Sequence, residues 1–129
     1  MTLRNAFRPR VTRDYPAQPI KQAPRFRGRL VHRHGEDNRP RCTACLVCKQ
    51  ACPTNAICEI EGDEKKGKER RATAYTWDAS RCLFCNLCVE ACPFEAISMG
   101  QEYRMVGESR EDMRLGLDEL LEECEEEET

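Results

Sequence analysis

The chain has 129 residues with ten cysteines, 34% charged residues and a formal net charge of −2. Without its cysteines it is only about one third apolar, below the ~45–50% usual for a soluble domain, so a purely hydrophobic core would be thin. A small domain of this kind needs disulfides or bound metal for stability. Since there is no run of ~18–20 apolar residues and no secretory signal, we expect a protein that neither spans a membrane nor is secreted, which argues against disulfides.

The first 40 residues predict an extended basic arm. Residues 1–49 carry 12 Lys or Arg and only 3 acidic residues. Prolines at positions 9, 16, 19, 24 and 40 disfavour helix, because each removes a backbone donor and restricts its predecessor. We expect the arm, 1–40, to lie along this domain or a neighbouring protein. Its charge suits acidic surfaces or anionic headgroups. The arm has neither a recognition helix nor a stacking sheet, so its sequence does not favour binding to nucleic acid.

An internal repeat follows the arm. Residues 41–58 and 81–98 are identical at 9 of 18 positions, which indicates duplication of one unit. Each copy ends in an Ala-Ile pair that predicts the start of a strand, and alternation predicts strands at 57–61 and 72–78. A charged loop, 62–71, joins these strands. Together they predict a domain over 41–100 with two pseudo-twofold related halves.

The last segment, 101–129, predicts a helix and an acidic tail. Apolar residues at 113, 115, 117, 120 and 121 favour a helix over 110–123 that packs on the domain or on a partner. Gly116 would cost this helix about 1 kcal/mol, so its stability would depend on packing. Residues 111–129 carry ten acidic residues and one Arg, and the run 125–128 is typical of a solvated end.

Eight cysteines form two identical runs, each with the spacing C-x2-C-x2-C-x3-C-P. This spacing is typical of bacterial ferredoxins with two [4Fe-4S] clusters, in which the fourth cysteine of each run binds the other cluster. Two-residue gaps let a tight loop direct three thiolates at three irons, and the fourth lies about one helical turn further on. The predicted ligands of cluster 1 are Cys42, Cys45, Cys48 and Cys92. Those of cluster 2 are Cys82, Cys85, Cys88 and Cys52.

Two other roles for these cysteines fit the sequence less well. A zinc site needs four ligands, so eight cysteines in two runs oversupply it, and both histidines lie outside the runs. A disulfide framework needs an oxidising compartment. Cys58 aligns with Ser98 and is best explained as a small buried side chain, while nothing near Cys124 completes a ligand set.

The residues between the ligands also carry predictions. Asn86 follows Cys85 where the loop favours a left-handed residue. Five apolar side chains would shield the clusters from water and help to set their potentials. They are Leu46, Val47, Leu83, Phe84 and Leu87.

The chemistry this chain can perform is limited. It has no nucleotide-binding loop, catalytic dyad or flavin motif, and every proposed iron already has a cysteine ligand. We therefore expect no substrate site and no catalytic residue. Two saturated clusters form a relay that carries one electron at a time.

Segments outside the cysteine runs resemble subunit I of NADH-quinone oxidoreductase, the two-cluster subunit of respiratory complex I and of related membrane-bound hydrogenases. They are PRVTRDYP at 9–16, RFRGRLVHR at 25–33, ERRATAYTWDASRC at 69–82 and GQEYRMVGESREDM at 100–113. The resemblance covers most of residues 10–121. It implies an α+β fold of the bacterial 2[4Fe-4S] ferredoxin type, with an extended N-terminal arm and a C-terminal helix. The cysteine matches imply the same eight ligands.

The resemblance also implies a function and partners. The chain would be a non-catalytic relay subunit of an NADH:quinone oxidoreductase, a translocase. It would contact the quinone-site and peripheral-arm subunits and pass electrons toward the quinone-site cluster, coupled in the whole complex to ion translocation. Its expected location is peripheral, on the cytoplasmic face of the cell membrane rather than the mitochondrial matrix side. Family members often begin with a longer amphipathic helix that lies on the membrane. Since only about a dozen residues precede Tyr15 here, we expect membrane attachment to depend on the arm and on partners.

Three other interpretations are compatible with parts of this sequence. The equivalent subunit of a membrane-bound hydrogenase-type complex would carry the same features. A soluble, diffusible 2[4Fe-4S] ferredoxin would carry the cysteine runs but not the flanking segments. The Arg-rich first 13 residues also fit a mitochondrial presequence, although family-like sequence begins within them.

Overall fold

Short strands and helices alternate along the chain. The computed structural model describes residues 3, 7–9, 11–35, 39–65 and 67–122. The strands are β1 (Leu30–His32), β2 (Ile57–Gly62), β3 (Ala72–Asp78), β4 (Ile97–Met99) and β5 (Arg114–Leu115). The helices are α1 (Val47–Ala51), α2 (Leu87–Glu90) and α3 (Leu117–Glu122), with 3-10 turns at Gly67–Glu69 and Glu111–Met113.

The strands form two antiparallel sheets. One contains β2, β3 and β5 in that order, and the other pairs β1 with β4. The predicted strands at 57–61 and 72–78 are confirmed, as is the start of a strand at each Ala-Ile pair. The mixture of short helices and sheets agrees with the predicted α+β, ferredoxin-like fold.

The core lies between the sheets and the cysteine loops. Its largest buried side chains are Trp77 and Tyr75, which lie two residues apart on β3 and therefore on one face of that strand. Ile57 pairs with Trp77 and Ile60 with Tyr75 across the β2/β3 ladder. The alternation of Tyr75 and Trp77 with smaller residues thus corresponds to a half-buried strand.

Residues 28–32 of the arm pack directly on the second repeat. The Gly28 amide donates to the carbonyl oxygen of Gly100 at 2.9 Å, and the Gly100 amide donates to that of Arg29 at 2.8 Å. A β-carbon at residue 28 would lie 2.7 Å from the Gly100 oxygen and closer still to that of Glu102. Only glycine permits this approach. The division of the chain at residues 40 and 100 stays a prediction.

The C-terminal helix is shorter than predicted. We expected helix over 110–123, but 111–113 form a 3-10 turn, 114–115 form β5, and α3 begins at Leu117. Gly116 caps α3 instead of interrupting it, because its carbonyl accepts the Leu120 amide and its own amide donates to Glu119 Oε2 at 2.7 Å. Leu120 is fully buried. The acidic run and Cys124 lie outside the described residues.

Candidate iron–sulfur site

Backbone conformation repeats with the sequence around the two cysteine runs. The non-glycine residues with positive φ, among those described, fall into two sets of three separated by 40 positions. They are Ala44, Leu46 and Asn55, and Phe84, Asn86 and Glu95. The prediction of a left-handed Asn86 is confirmed, with φ of 72°. Left-handed residues turn successive amides toward the inside of a loop, where they favour negative charge.

A short helix follows the first cysteines of each run. Cys48 lies within α1 and Cys88 within α2, and α1 and α2 pack against each other. Cys52 directly follows α1, and Cys92 follows α2 after one further residue. Because the two helices are in contact, the fourth cysteine of each run lies near the other run.

The structure brings together the first predicted set of thiols. Cys42, Cys45, Cys48 and Cys92 line a single cavity, together with apolar side chains that include Ile60, Phe94 and Ile97. Three of these thiols come from the first run and one from the second. Cys42 and Cys48 are buried, whereas Cys45 is exposed at the surface.

The second set of thiols is also assembled from both runs. The Cys82 thiol interacts electrostatically with the thiols of Cys52 and Cys85. The Cys88 thiol interacts with those of Cys48, Cys82 and Cys52. Cys52 therefore lies with residues of the second run, as Cys92 lies with those of the first. All four are partly buried.

Backbone amides donate to the cysteine sulfurs at equivalent places in the two halves. The amides of Ala56 and Ala96 donate to the Sγ atoms of Cys52 and Cys92 at 3.3 and 3.4 Å. The Phe84 amide donates to the Cys82 Sγ at 3.3 Å. Such hydrogen bonds stabilise sulfur that carries negative charge.

Burial and charge oppose each other at these thiols. Burial raises the pKa of Cys48 to about 11 and that of Cys88 to about 12, and neighbouring thiolates add to the effect. Burial also raises the pKa of Cys52, but hydrogen bonds from the Ala56 amide and the Thr54 hydroxyl outweigh it and leave that pKa below its ordinary value. Cys48 and Cys88 thus keep their protons at neutral pH unless a cation replaces them.

These features fit [4Fe-4S] clusters. Each cluster needs four thiolates that bind four different irons, and each set supplies four thiols with amides directed at sulfur. No group of three or more His, Cys, Asp or Glu side chains within the described part of the chain is placed to hold a single metal ion. The positive charge of the irons in a cluster would replace the protons of the four thiols and offset the repulsion among the resulting thiolates.

The predicted apolar shield is confirmed only in part. Phe84 packs on the core, where its ring meets that of Trp77 edge to face. Leu46 lines the cavity of the first set of thiols, although it is 41% exposed. The other three side chains, Val47, Leu83 and Leu87, are exposed because the loops and helix starts that carry them lie at the surface. Cys58, expected to be buried, is only partly so.

Sequence reasoning missed three side chains near the cysteines. The Tyr75 hydroxyl lies 3.9 Å from the Cys48 Sγ. The Trp77 indole is a hydrogen-bond partner of the Cys82 thiol. Arg27, from the arm, donates from Nη1 to the carbonyl oxygen of Cys85 at 2.9 Å. The alternation of β3 indicated that Tyr75 and Trp77 share a face, but no local signal indicated which sulfur each would approach.

The sequence and fold together define the class of protein. Residues 75–98 match the 4Fe-4S binding domain family. The predicted cofactor is thereby confirmed, and two clusters fit the number of cysteines. The chain carries a ferredoxin-type iron–sulfur domain.

The chain is also similar to a curated protein over half of its length. The chain is 42% identical over 64 residues to NADH-quinone oxidoreductase subunit I of Pectobacterium atrosepticum. The aligned region covers 50% of this chain and 36% of that protein. It thus spans about a third of the length of this relative. The predicted resemblance to subunit I is confirmed.

A solved structure is similar over more of the chain. It is the membrane-bound sulfane sulfur reductase, an archaeal respiratory membrane complex, with a TM-score of 0.62 and 28% identity. The match covers 87% of this chain and 55% of the other. Among the described residues, none of the helices has the length and apolar character needed to cross a membrane.

Proposed function

We propose that this chain is an electron-relay subunit of a membrane-associated, quinone-reducing complex of the complex I type. Cys42, Cys45, Cys48 and Cys92 would hold cluster 1. Cys82, Cys85, Cys88 and Cys52 would hold cluster 2. When bound, the two clusters would supply one-electron transfer at potentials set by their protein surroundings.

The cavity lined by the first set of thiols carries this proposal. It joins Cys92 to three cysteines that lie 44 or more positions earlier in the chain. Ligation within one run would leave Cys92 no reason to face Cys42 and Cys48. The reciprocal placement of Cys52 beside Cys82 and Cys88 supports the same crossed arrangement.

The chain's own residues support a relay rather than a catalyst. Cysteine sulfurs would fill the ligand position of every iron, so no iron would be open to substrate. The packed helices α1 and α2 hold the two sets close together. The exposed Cys45 places an edge of the first set at the surface, where an electron partner has access.

Exposed apolar residues beside both cysteine runs support a protein partner. Leu46 and Val47 flank the first set, and Leu83 and Leu87 flank the second, all with more than a third of their surface exposed. Apolar surface of this kind is typical of interaction sites. We propose that the quinone-site and peripheral-arm subunits of the host complex cover it, and that the basic arm holds the chain peripherally at the cytoplasmic face of the membrane. Ion translocation would belong to the whole complex.

A second host is favoured by one observation. The structural similarity to a chain of the sulfane sulfur reductase complex covers 87% of this chain at 28% identity. A membrane-bound complex of the hydrogenase or sulfur-reductase type would use the same relay with a different electron source.

Iron and sulfide content, measured together with the assembly state, tests the function. Material is taken from membranes with its partners attached and analysed for iron and acid-labile sulfide, with EPR of the reduced protein. We expect about eight of each per chain, in an assembly that oxidises NADH with a quinone. The same content without NADH oxidation would indicate the second host.

Two results would contradict the proposal. The first is a free chain of 14.9 kDa that contains about eight irons. If a soluble reductase reoxidises this chain without membranes, the protein is a diffusible ferredoxin. Zinc without sulfide would indicate a structural metal site.

A further inference from the structure

Tyr75 places a buried hydroxyl beside a proposed cluster ligand. It lies in the middle of β3 and is 1% exposed. Its hydroxyl oxygen lies 3.9 Å from the Cys48 Sγ, within the range of a hydrogen bond to sulfur. The ring of His32 packs edge-on against the Tyr75 ring, with centroids 4.2 Å apart. The tyrosine ring is therefore held by a direct contact from β1.

The direction of this hydrogen bond follows from the chemistry of the pair. A thiolate that binds iron has no proton, so only the tyrosine can donate. Burial raises the pKa of Tyr75 well above its ordinary value, and the neighbouring Cys48 thiolate raises it further. The hydroxyl consequently keeps its proton at neutral pH.

We propose that Tyr75 is a positioning residue that raises the reduction potential of cluster 1 through its hydrogen bond to the Cys48 sulfur. This inference rests on the proposed ligand set. A donor to a ligand sulfur stabilises the reduced cluster more than the oxidised one, because reduction adds negative charge. Loss of the hydroxyl thus makes cluster 1 harder to reduce.

The effect is specific to one half of the duplicated domain. Cys88 is the counterpart of Cys48, and none of the described residues offers it a hydroxyl at hydrogen-bond distance. Cluster 2 has a side-chain hydroxyl at a different sulfur, since the Thr54 Oγ1 lies 3.7 Å from the Cys52 Sγ. The Tyr75 contact is therefore one contribution to the difference between the two potentials, and it acts at a cluster 1 sulfur. A relay of this kind gains a direction from such a difference, because electrons rest preferentially on the cluster of higher potential.

The test compares two tyrosine variants of the full chain loaded with iron and sulfide. Tyr75→Phe removes the hydroxyl and keeps the ring, while Tyr103→Phe is the matched control, since its ring packs against Phe26 rather than a cysteine. Because the hydrogen bond is stronger to the reduced cluster, its loss should lower the equilibrium constant for reducing cluster 1 by up to about tenfold. For a one-electron couple this equals a shift of up to about 60 mV. Redox titration monitored by EPR measures both midpoint potentials.

The expected result is a negative shift of one midpoint potential in Tyr75→Phe, with about eight irons retained and no shift in Tyr103→Phe. Site-specific 3-fluorotyrosine at position 75 gives the opposite test, because the stronger donor shifts the same potential upward. This second variant keeps the full ring and hydroxyl, so it remains informative if Tyr75→Phe folds poorly.

Two different failures are distinguishable. A wild-type chain without iron and sulfide would overturn the proposed function and this inference with it. The second failure begins with a wild-type chain that does hold two reducible clusters. If both midpoint potentials then stay unchanged, or shift together, in the variants at position 75, only the role of Tyr75 is overturned.

Discussion

Leu46 and Asn86 occupy equivalent positions in the two cysteine loops and share a left-handed backbone, with φ of 67° and 72°. Both directly precede the helix that carries the third cysteine of their run. Asparagine tolerates this conformation, whereas a leucine held there costs about 1–2 kcal/mol. The first cysteine loop thus keeps its left-handed conformation at Leu46 although leucine disfavours that conformation.

Leu46→Asn should stabilise the chain by about 1 kcal/mol, because asparagine relieves the backbone strain. Leu46 is 41% exposed and also lines the cavity of the first set of thiols, so the packing that is lost offsets part of the relieved strain. The measurement is the midpoint of thermal unfolding of the iron-loaded chain at one scan rate. Val47→Asn is the matched control, since it makes a similar change at a right-handed helical residue. A midpoint for Leu46→Asn that is no higher than for Val47→Asn would contradict the explanation.

The repeat shows how far local sequence determines this site. The spacing of the cysteines and the Ala-Ile pairs predicted the ligand sets, both strand starts and the left-handed Asn86. The left-handed Leu46 had no signal of its own and follows only from its alignment with Asn86. The exposure of Leu83 and Leu87 was not predictable either, because apolar residues next to ligands fit a shield and a docking surface equally well.

The C-terminal segment shows where tertiary contacts outweigh periodicity. Apolar spacing favoured one helix through Gly116, but Arg114 and Leu115 extend beside the end of β3, where they pair with Asp78 and Trp77. The Arg114 guanidinium also lies 3.7 Å from the buried Asp78 carboxylate. Neither contact is visible in the local pattern, because the partners lie more than 35 positions apart.

Cys52→Ser should damage cluster 2 and leave cluster 1 intact. The physical reason is that Cys52 faces the thiols of Cys82 and Cys88 and not those of its own run. Iron content should fall toward about four per chain, and EPR should show loss of one reduced cluster. The signal that remains should be the one whose midpoint potential responds to Tyr75→Phe.

Cys58→Ser is the control for this experiment. Cys58 is also partly buried, and the other repeat carries Ser98 at the equivalent position. We expect full iron content and both signals. If Cys52→Ser instead removed the cluster whose midpoint potential responds to Tyr75→Phe, the crossed assignment of the ligands would be wrong.

Gly28→Ser should detach the arm from the domain. A β-carbon there meets the backbone carbonyls of Gly100 and Glu102, and the backbone cannot yield without breaking the hydrogen bonds next to β1. We expect a loss of about 2 kcal/mol or more, together with faster proteolysis between residues 20 and 30. Gly116→Ser is the control, because the nearest neighbour of its β-carbon is 3.8 Å away and serine is a good helix cap. Equal stability of the two variants would exclude the steric argument.

His32 should make the stability of the chain depend on pH. The residue is fully buried, and burial lowers its pKa to about 4, whereas histidine in an unfolded chain has a pKa of about 6.5. The unfolded state therefore binds more protons between these values, so acidification below pH 6.5 favours unfolding. From pH 7.5 to pH 5.5 the loss attributable to His32 is about 1 kcal/mol.

The measurement is the unfolding midpoint of wild type, His32→Phe and Val31→Ala at these two pH values. His32→Phe keeps an aromatic ring against Tyr75 and removes the titrating group, so its midpoint should fall less on acidification. Val31→Ala destabilises the same strand without changing a titrating group, so it should keep the wild-type pH dependence. If His32→Phe kept it as well, His32 would not be the group responsible.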